Sequence, residues 1–238
     1  MNSSTFSRIP SNIFAYWLSD AYVNVFVKSS PLSLYGYCKQ GLSTSDNDTF
    51  LRIWHEVSNL KECFDATDSI NAFASGIKWF PFNKGGEFRK WYGNQDFVID
   101  WYLDGKKLKT NKKAVIRNPQ FYFEESISWS KIASNSISFR QYPKGFIFDS
   151  AGCSFFANGM IDKDYLFALL NSNVIQSVLY AISPTLNYVT GQIETLPVIY
   201  DSTLTVSIGS LVQDNVNLSK KDWDSFEESW NFKRHPLA

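Results

Sequence analysis

The 238 residues carry 23 Lys and Arg against 23 Asp and Glu, with 44% hydrophobic and 17% aromatic side chains. Such a chain buries a core, which excludes a disordered polymer, and no apolar run of about 18 residues predicts a membrane-spanning helix. The start, MNSSTFSRIPSN, has no charged segment followed by an apolar one, so no secretory signal is expected.

Cys38, Cys63 and Cys153 are odd in number and far apart, which argues for reduced thiols in a cytoplasmic protein. The two histidines, His55 and His235, sit in polar surroundings and read as surface residues. No close Cys or His pair is available for zinc. The neutral total hides an asymmetry. Residues 77–145 hold 13 Lys and Arg against 6 Asp and Glu, and the remainder holds 10 against 17. A basic middle with acidic flanks is the footprint of polyanion binding, or simply a solvated face.

Taken in chain order, residues 11–28 predict a helix. Ser11 is its cap, and Ile13, Trp17, Ala21 and Val25 form its apolar stripe. GLSTSDNDTF is a loop, and LRIWHEV (51–57) a strand. FVIDWYL (97–103) is a second strand. It ends in the Asp104-Gly105 turn signal, and KKLKTNKK follows as an exposed cationic stretch. AVIRNPQFYF, ISWSKIA, SISFRQYP and GFIFDSAGCSFFA are short aromatic and β-branched runs. Residues 162–182 are the strongest helix. Leu166, Leu170, Val174, Val178 and Ile182 lie on one face, Asp162 or Asp164 caps it, and Pro184 stops it. After LPVIYD comes an amphipathic helix and a polar tail. The class is α/β (α+β), a mixed sheet of short strands with flanking helices. It divides into 1–30, 31–200 and 201–238.

Catalytic motifs are absent. There is no GxGxxG, no phosphate loop, no GxSxG and no HExxH. The Glu124-Glu125 and Glu227-Glu228 pairs diverge as neighbours and read as solvated surface. Cys153 has no histidine near it in sequence and reads as a buried thiol. Asn118-Pro119-Gln120-Phe121 approaches the Asn-Pro-Pro-Tyr/Phe tetrad of amino-methyltransferases, but Gln120 replaces the second proline. It reads as a turn leading into a strand.

KWFPFNKGGEFRKWYG (78–93) packs rings, cations and a glycine pair together. Together with FSRIPSNIFAYWLSD, YPKGFIFDSAGCSFF, YLFALLNSNVIQSVLYAISPTLNYVTGQIETLPVI and DWDSFEESWNFKRHPL, it resembles part of the PglX-type adenine-specific DNA methyltransferases of BREX phage defence. That part follows their catalytic domain and is related to type IIG restriction–modification enzymes. LLNSNV and TGQIETLPV are also similar to the end of target-recognition domains in type I specificity subunits. The resemblance implies a target-recognition region that reads double-stranded DNA. It also implies that this chain alone is no enzyme and holds no cofactor. S-adenosylmethionine would belong to a methyltransferase domain outside it. Under that resemblance Lys78, Lys84, Arg89 and Lys90 neutralise phosphates, Gly85 and Gly86 let the backbone approach closely, and Asn83 or Arg89 reaches base edges. Trp79, Phe80 and Phe82 pack beneath. Thr44, Ser45 and Asn47 form a second candidate surface and Arg140 with Lys144 a third. Asn187 and Gln192 lie at the closing turn. The alternative is a protein-interaction module that docks on other defence subunits or on an acidic DNA-mimicking protein.

Overall fold

The computed structural model describes residues 20–237 apart from 135, 184 and 236. The expected cap at Ser11 and the stripe residues Ile13 and Trp17 lie outside the described residues, as does the stop at Pro184. The helix expected there is described as α1 (Asp20–Lys28).

Two antiparallel-rich sheets make the frame. The first has the order β2-β9-β6-β7, from β2 (Gly36–Lys39), β6 (Ser126–Ser130), β7 (Phe139–Tyr142) and β9 (Gly152–Ala157). The second has the order β3-β5-β4-β8, from β3 (Leu51–Ile53), β4 (Trp79–Asn83), β5 (Phe97–Asp100) and β8 (Ile147–Phe148). Among the named strands of the described residues, β4 and β8 alone pair in parallel. A two-stranded ladder joins β1 (Ser30–Pro31) to β10 (Pro197–Val198). The mixed α+β class expected from the sequence is what the chain adopts.

Each sheet has its own core. The period of two along β9 sends Phe155 into a core with Ile127, Trp129, Leu166, Leu170 and Val178, and Phe156 into another with Phe148 and Phe82. Helices α5 (Lys163–Asn171), α6 (Asn173–Ile182), α7 (Thr190–Ile193) and α8 (Thr205–Trp223) contribute to the first core, and α2 (Asn47–Phe50), α3 (Ser69–Ser75) and α4 (Tyr102–Thr110) to the second.

Four sequence expectations change. The helix over 162–182 is two helices. Ser172 is extended (ψ 153°), and its hydroxyl accepts from the Ile175 amide as a new cap. Asn171 is held by its side chain to both Phe139 N and Phe139 O. The break rotates the stripe, so Val174 is exposed while Leu166, Leu170, Val178 and Ile182 are buried. Asp162, not Asp164, is the cap, through Tyr165 N. The strand at 51–57 stops at Ile53 and gives way to a 3-10 turn. The strand at 97–103 stops at Asp100, because Leu103, Asp104 and Gly105 take positive φ in succession. Gly105 is required there, since a Cβ would lie 2.7 Å from the Trp101 ring. The expected Asp104-Gly105 turn falls at the start of α4.

Asn83 joins the sheets. From the end of β4 it donates to Ser128 Oγ (2.6 Å) and to Gly152 O (3.3 Å), while its own Oδ1 accepts from Gly85 N (3.0 Å). A Cβ on Gly152 would come within 2.5 Å of Asn83 Oδ1, so only glycine lets the strands approach. The tail closes the other side. Trp230 stacks on Phe64 at 4.5 Å, and Glu228 O accepts from Trp54 Nε1. Burial, then the nearby Glu228 carboxylate, pushes Asp96 up to about 6, and Arg89 opposes the shift.

Replacing Asn83 with Ala leaves the buried Gly85 amide without an acceptor. It should cost about 2–3 kcal/mol, read as a lower urea midpoint at unchanged slope. Asp96 ionises near its ordinary value in the unfolded chain but only near pH 6 when folded. Its charge therefore costs stability above that pH, and the cost vanishes as pH falls from about 6 toward 4. Asp96→Asn should stabilise by roughly 1 kcal/mol at pH 8, after allowance for partial exposure, and by nothing at pH 4. Chemical denaturation at both pH values measures the difference.

Candidate nucleic-acid interface

Several loops meet along one edge of the two sheets, and hydrogen bonds make them continuous. Ser45 Oγ donates to Lys113 O (2.7 Å), and Ser43 N to Val115 O (2.9 Å). Ser150 N donates to Leu42 O, and Asp149 N to Asn83 O. Lys131 N donates to Ala151 O, and Ser130 Oγ to Gly86 O. Antiparallel bridging then places Ile132 beside Asn187. Loops that are distant in sequence thus share one rim.

The expected DNA-facing segment at 78–93 divides. Its first part is the strand β4, whose five residues are all buried, so Trp79, Phe80 and Phe82 are core as expected. Asn83 is 1% exposed with its amide committed to the other sheet, so it cannot reach a base edge. The loop proper begins at Gly85 (φ 79°) and Gly86 (φ 126°). Beyond them Glu87 and Phe88 are exposed.

Arg140 is the second correction. It is 0% exposed, and its guanidinium donates to Glu87 O and Arg89 O (both 3.2 Å), Ser138 Oγ (3.1 Å) and Ser130 Oγ (2.9 Å). The planar fork pins the loop from behind and presents nothing to solvent. Thr44 is likewise buried, and its hydroxyl donates to Asn47 Oδ1 (2.6 Å), which shapes the loop. Gln192 Oε1 accepts from Ser183 Oγ and Val189 N, so it closes the turn before β10. These four side chains are scaffold.

The remaining expected cations are each engaged. Lys78 pairs with Asp100 at 3.3 Å and lies 4.8 Å over Trp79. Lys84 pairs with the buried Asp149 at 3.5 Å. Arg89 pairs with Asp222 at 2.8 Å and lies over the Trp223 ring. Lys90 donates to Asn171 O at the end of α5 (2.8 Å). Lys144 meets Glu124 at 3.6 Å, and both are exposed. Ser45, Asn47 and Asn187 remain exposed on the rim, but Asn187 is separated from the loop around Ser45 by the 149–151 turn.

The structure adds Lys106, Lys107, Lys112 and Lys113, which lie on and after α4 and are exposed. Among the described residues none of the four forms an ion pair with a carboxylate. Lys113 stands beside Ser45, and Lys107 lies near the adjacent Asp46. Hydrogen bonds from Thr49 hold the Asp46 carboxyl below its usual range, and Lys107 and Lys113 lower it further. The sequence marked this stretch as cationic but gave no sign of its proximity to Ser45. The serines Ser126, Ser128 and Ser130 alternate along β6 and are all buried. That alternation was the one signal that a polar seam lay under the loop. The thiol of Cys153 is pushed up to about 12 by burial, which suits a structural residue. Asn118 of the NPQF turn donates to Gln40 O (2.9 Å) and serves the same rim.

Replacing Arg140 with Lys keeps the charge but loses the fork. It should destabilise the chain by about 2–3 kcal/mol. It should also raise amide hydrogen exchange at Arg89 and Trp91 while α8 stays protected, as read by hydrogen-exchange mass spectrometry.

No family model matches the chain. It is 38% identical over 242 aligned positions to the adenine-specific methyltransferase PglX of Lacticaseibacillus casei (strain Zhang), covering 98% of this chain and 20% of that protein. It is 38% identical over 235 positions to the adenine-specific methyltransferase BrxX of Escherichia coli O9:H4 (strain HS), covering 98% of this chain and 18% of that protein. The chain spans about a fifth of the length of these curated relatives. Over nearly its whole length, then, it is similar to one segment of the PglX-type adenine-specific methyltransferases.

Proposed function

We propose that the chain is a DNA-recognition segment of a PglX-type adenine-specific DNA methyltransferase acting in phage defence. In this reading it reads a short site on double-stranded DNA and positions an adenine for a methyltransferase domain supplied elsewhere in the full-length protein. The observation that carries the reading is the continuous rim that runs from Ser45 and the lysines without an ion pair among the described residues, through the 149–151 turn, to the glycine-hinged loop and Asn187. Exposed cations on such a rim neutralise phosphates, and the rigid loop beside them is placed to meet the groove.

The division of cations supports the same reading. Arg140 and Lys90 hold loop carbonyls, whereas Lys112 and Lys113 face solvent. The described residues do not fit S-adenosylmethionine. Among the described residues the one parallel strand pair, β4 with β8, is two residues long, and no glycine-rich strand end opens onto a helix. The cofactor and the methyl transfer therefore belong, in this reading, to other parts of the protein. No helix among the described residues is long and apolar enough to cross a membrane.

Fluorescence anisotropy with a labelled duplex across a salt series tests the reading. The chain should bind at low salt and weaken linearly in log–log terms. Lys112→Glu with Lys113→Glu should lose more than about tenfold in affinity and lower the salt slope by about 2. Both side chains are exposed, so the folded state should be unaffected. Absence of binding by the folded chain at low salt, or binding that the double variant leaves intact, overturns it.

A further inference from the structure

A cavity of about 560 Å³ opens on the rim between the glycine-hinged loop and the segment that follows β6. Gly86, Glu87, Phe88, Ser130, Ile132 and Ser138 line it. Its volume lies within the range of small-molecule sites. Two of its lining residues are large and apolar yet open to solvent, Phe88 at 57% and Ile132 at 71% exposed. The loop that carries Phe88 is held from behind by the buried Arg140, so the ring is displayed on a fixed support.

Ser138 is 5% exposed and reaches the same cavity. Its Oγ accepts from Arg89 N (3.1 Å) and from Arg140 Nη1 (3.1 Å). Both lone pairs are thereby occupied, and the hydroxyl proton meets no acceptor among the described residues. The guanidinium strengthens that O–H as a donor. On the rim, the amides of Gly86, Glu87 and Phe88 donate to no acceptor among the described residues, and the Glu87 carboxylate forms no ion pair there. The cavity thus offers a buried donor, a carboxylate acceptor, rim amide donors and two apolar walls.

We propose that this cavity receives a thymine turned out of the duplex, the partner left unpaired when an adenine is extruded for methylation. The inference rests on the DNA-recognition reading above. An enzyme that modifies a base inside a duplex must first take it out of the stack, and its partner is then free to leave as well. Thymine matches the cavity group for group. A ring carbonyl accepts from Ser138, N3–H donates to Glu87, the C5-methyl lies against Ile132, and the ring face rests on Phe88.

The test compares a matched duplex with the same duplex carrying one unpaired thymine or one unpaired adenine, by anisotropy with the whole chain. The thymine bulge has already lost its stacking and pairing, so it should bind roughly tenfold or more tightly than the matched duplex. Phe88→Ala, an exposed position that leaves the core untouched, should abolish that preference, with a thermal melt to verify folding. Ser138→Ala should reduce the preference, with a thermal melt to verify folding. Equal affinity of the wild-type chain for matched and thymine-bulged DNA overturns the inference while leaving DNA recognition intact. So does a preference for the adenine bulge, or a thymine preference that survives Phe88→Ala. Failure to bind any duplex at low salt overturns the DNA-recognition reading and this inference with it.

Discussion

The amide of Asn83 holds the two sheets together, and the candidate interface depends on it. One side chain at the end of β4 satisfies Ser128 Oγ, Gly152 O and Gly85 N at once. All four residues are buried, where an unmatched polar group costs about 1–3 kcal/mol. The cost of misplacing any one of them fixes the distance and register between β4 and the β6–β9 pair. It also fixes where the chain leaves β4, and therefore where the Gly85-Gly86 loop stands. A glycine at 152 is part of the same constraint, since any side chain there would displace Asn83.

Arg140 continues this logic one layer outward. A guanidinium without a carboxylate partner within the ion-pair distance is an expensive group to bury, and here it is compensated by two main-chain carbonyls and two serine hydroxyls. The arrangement converts positive charge into loop rigidity. Exposed positive charge without an ion pair among the described residues lies elsewhere, on the lysines of and after α4 among others. Counting cations along the sequence cannot separate these uses, because burial rather than residue type decides which of them a cation serves.

The tail and α8 act on the same loop from its far side. Asp222 and the Trp223 ring take up the Arg89 guanidinium, and Lys220 lies over Tyr92. The loop is clamped between a buried cation in the sheet and the Asp222 carboxylate near the end of α8. Its tip, at Glu87 and Phe88, is what remains for a partner to meet. That rigid display is what a recognition surface needs, since a loop ordered only on contact would give up part of its binding free energy.

Local sequence determined the elements whose causes are local. The Asp162 cap, the amphipathic helix after residue 201, the positive φ at Asp104-Gly105, the core role of Trp79, Phe80 and Phe82, and the short strands with their mixed class all follow from side chains within a few positions of one another. The resemblance to PglX-type methyltransferases was also legible, because it rests on several ordered segments. Tertiary structure alone decided the rest. It buried Asn83, Arg140 and Thr44, broke the 162–182 helix at Ser172 through an Asn171 contact with Phe139, and brought Lys113 to Ser45 and Asn187 to Ile132. Each of those outcomes turns on a partner distant in sequence, and the alternating serines of β6 mark a buried polar seam without naming its partners.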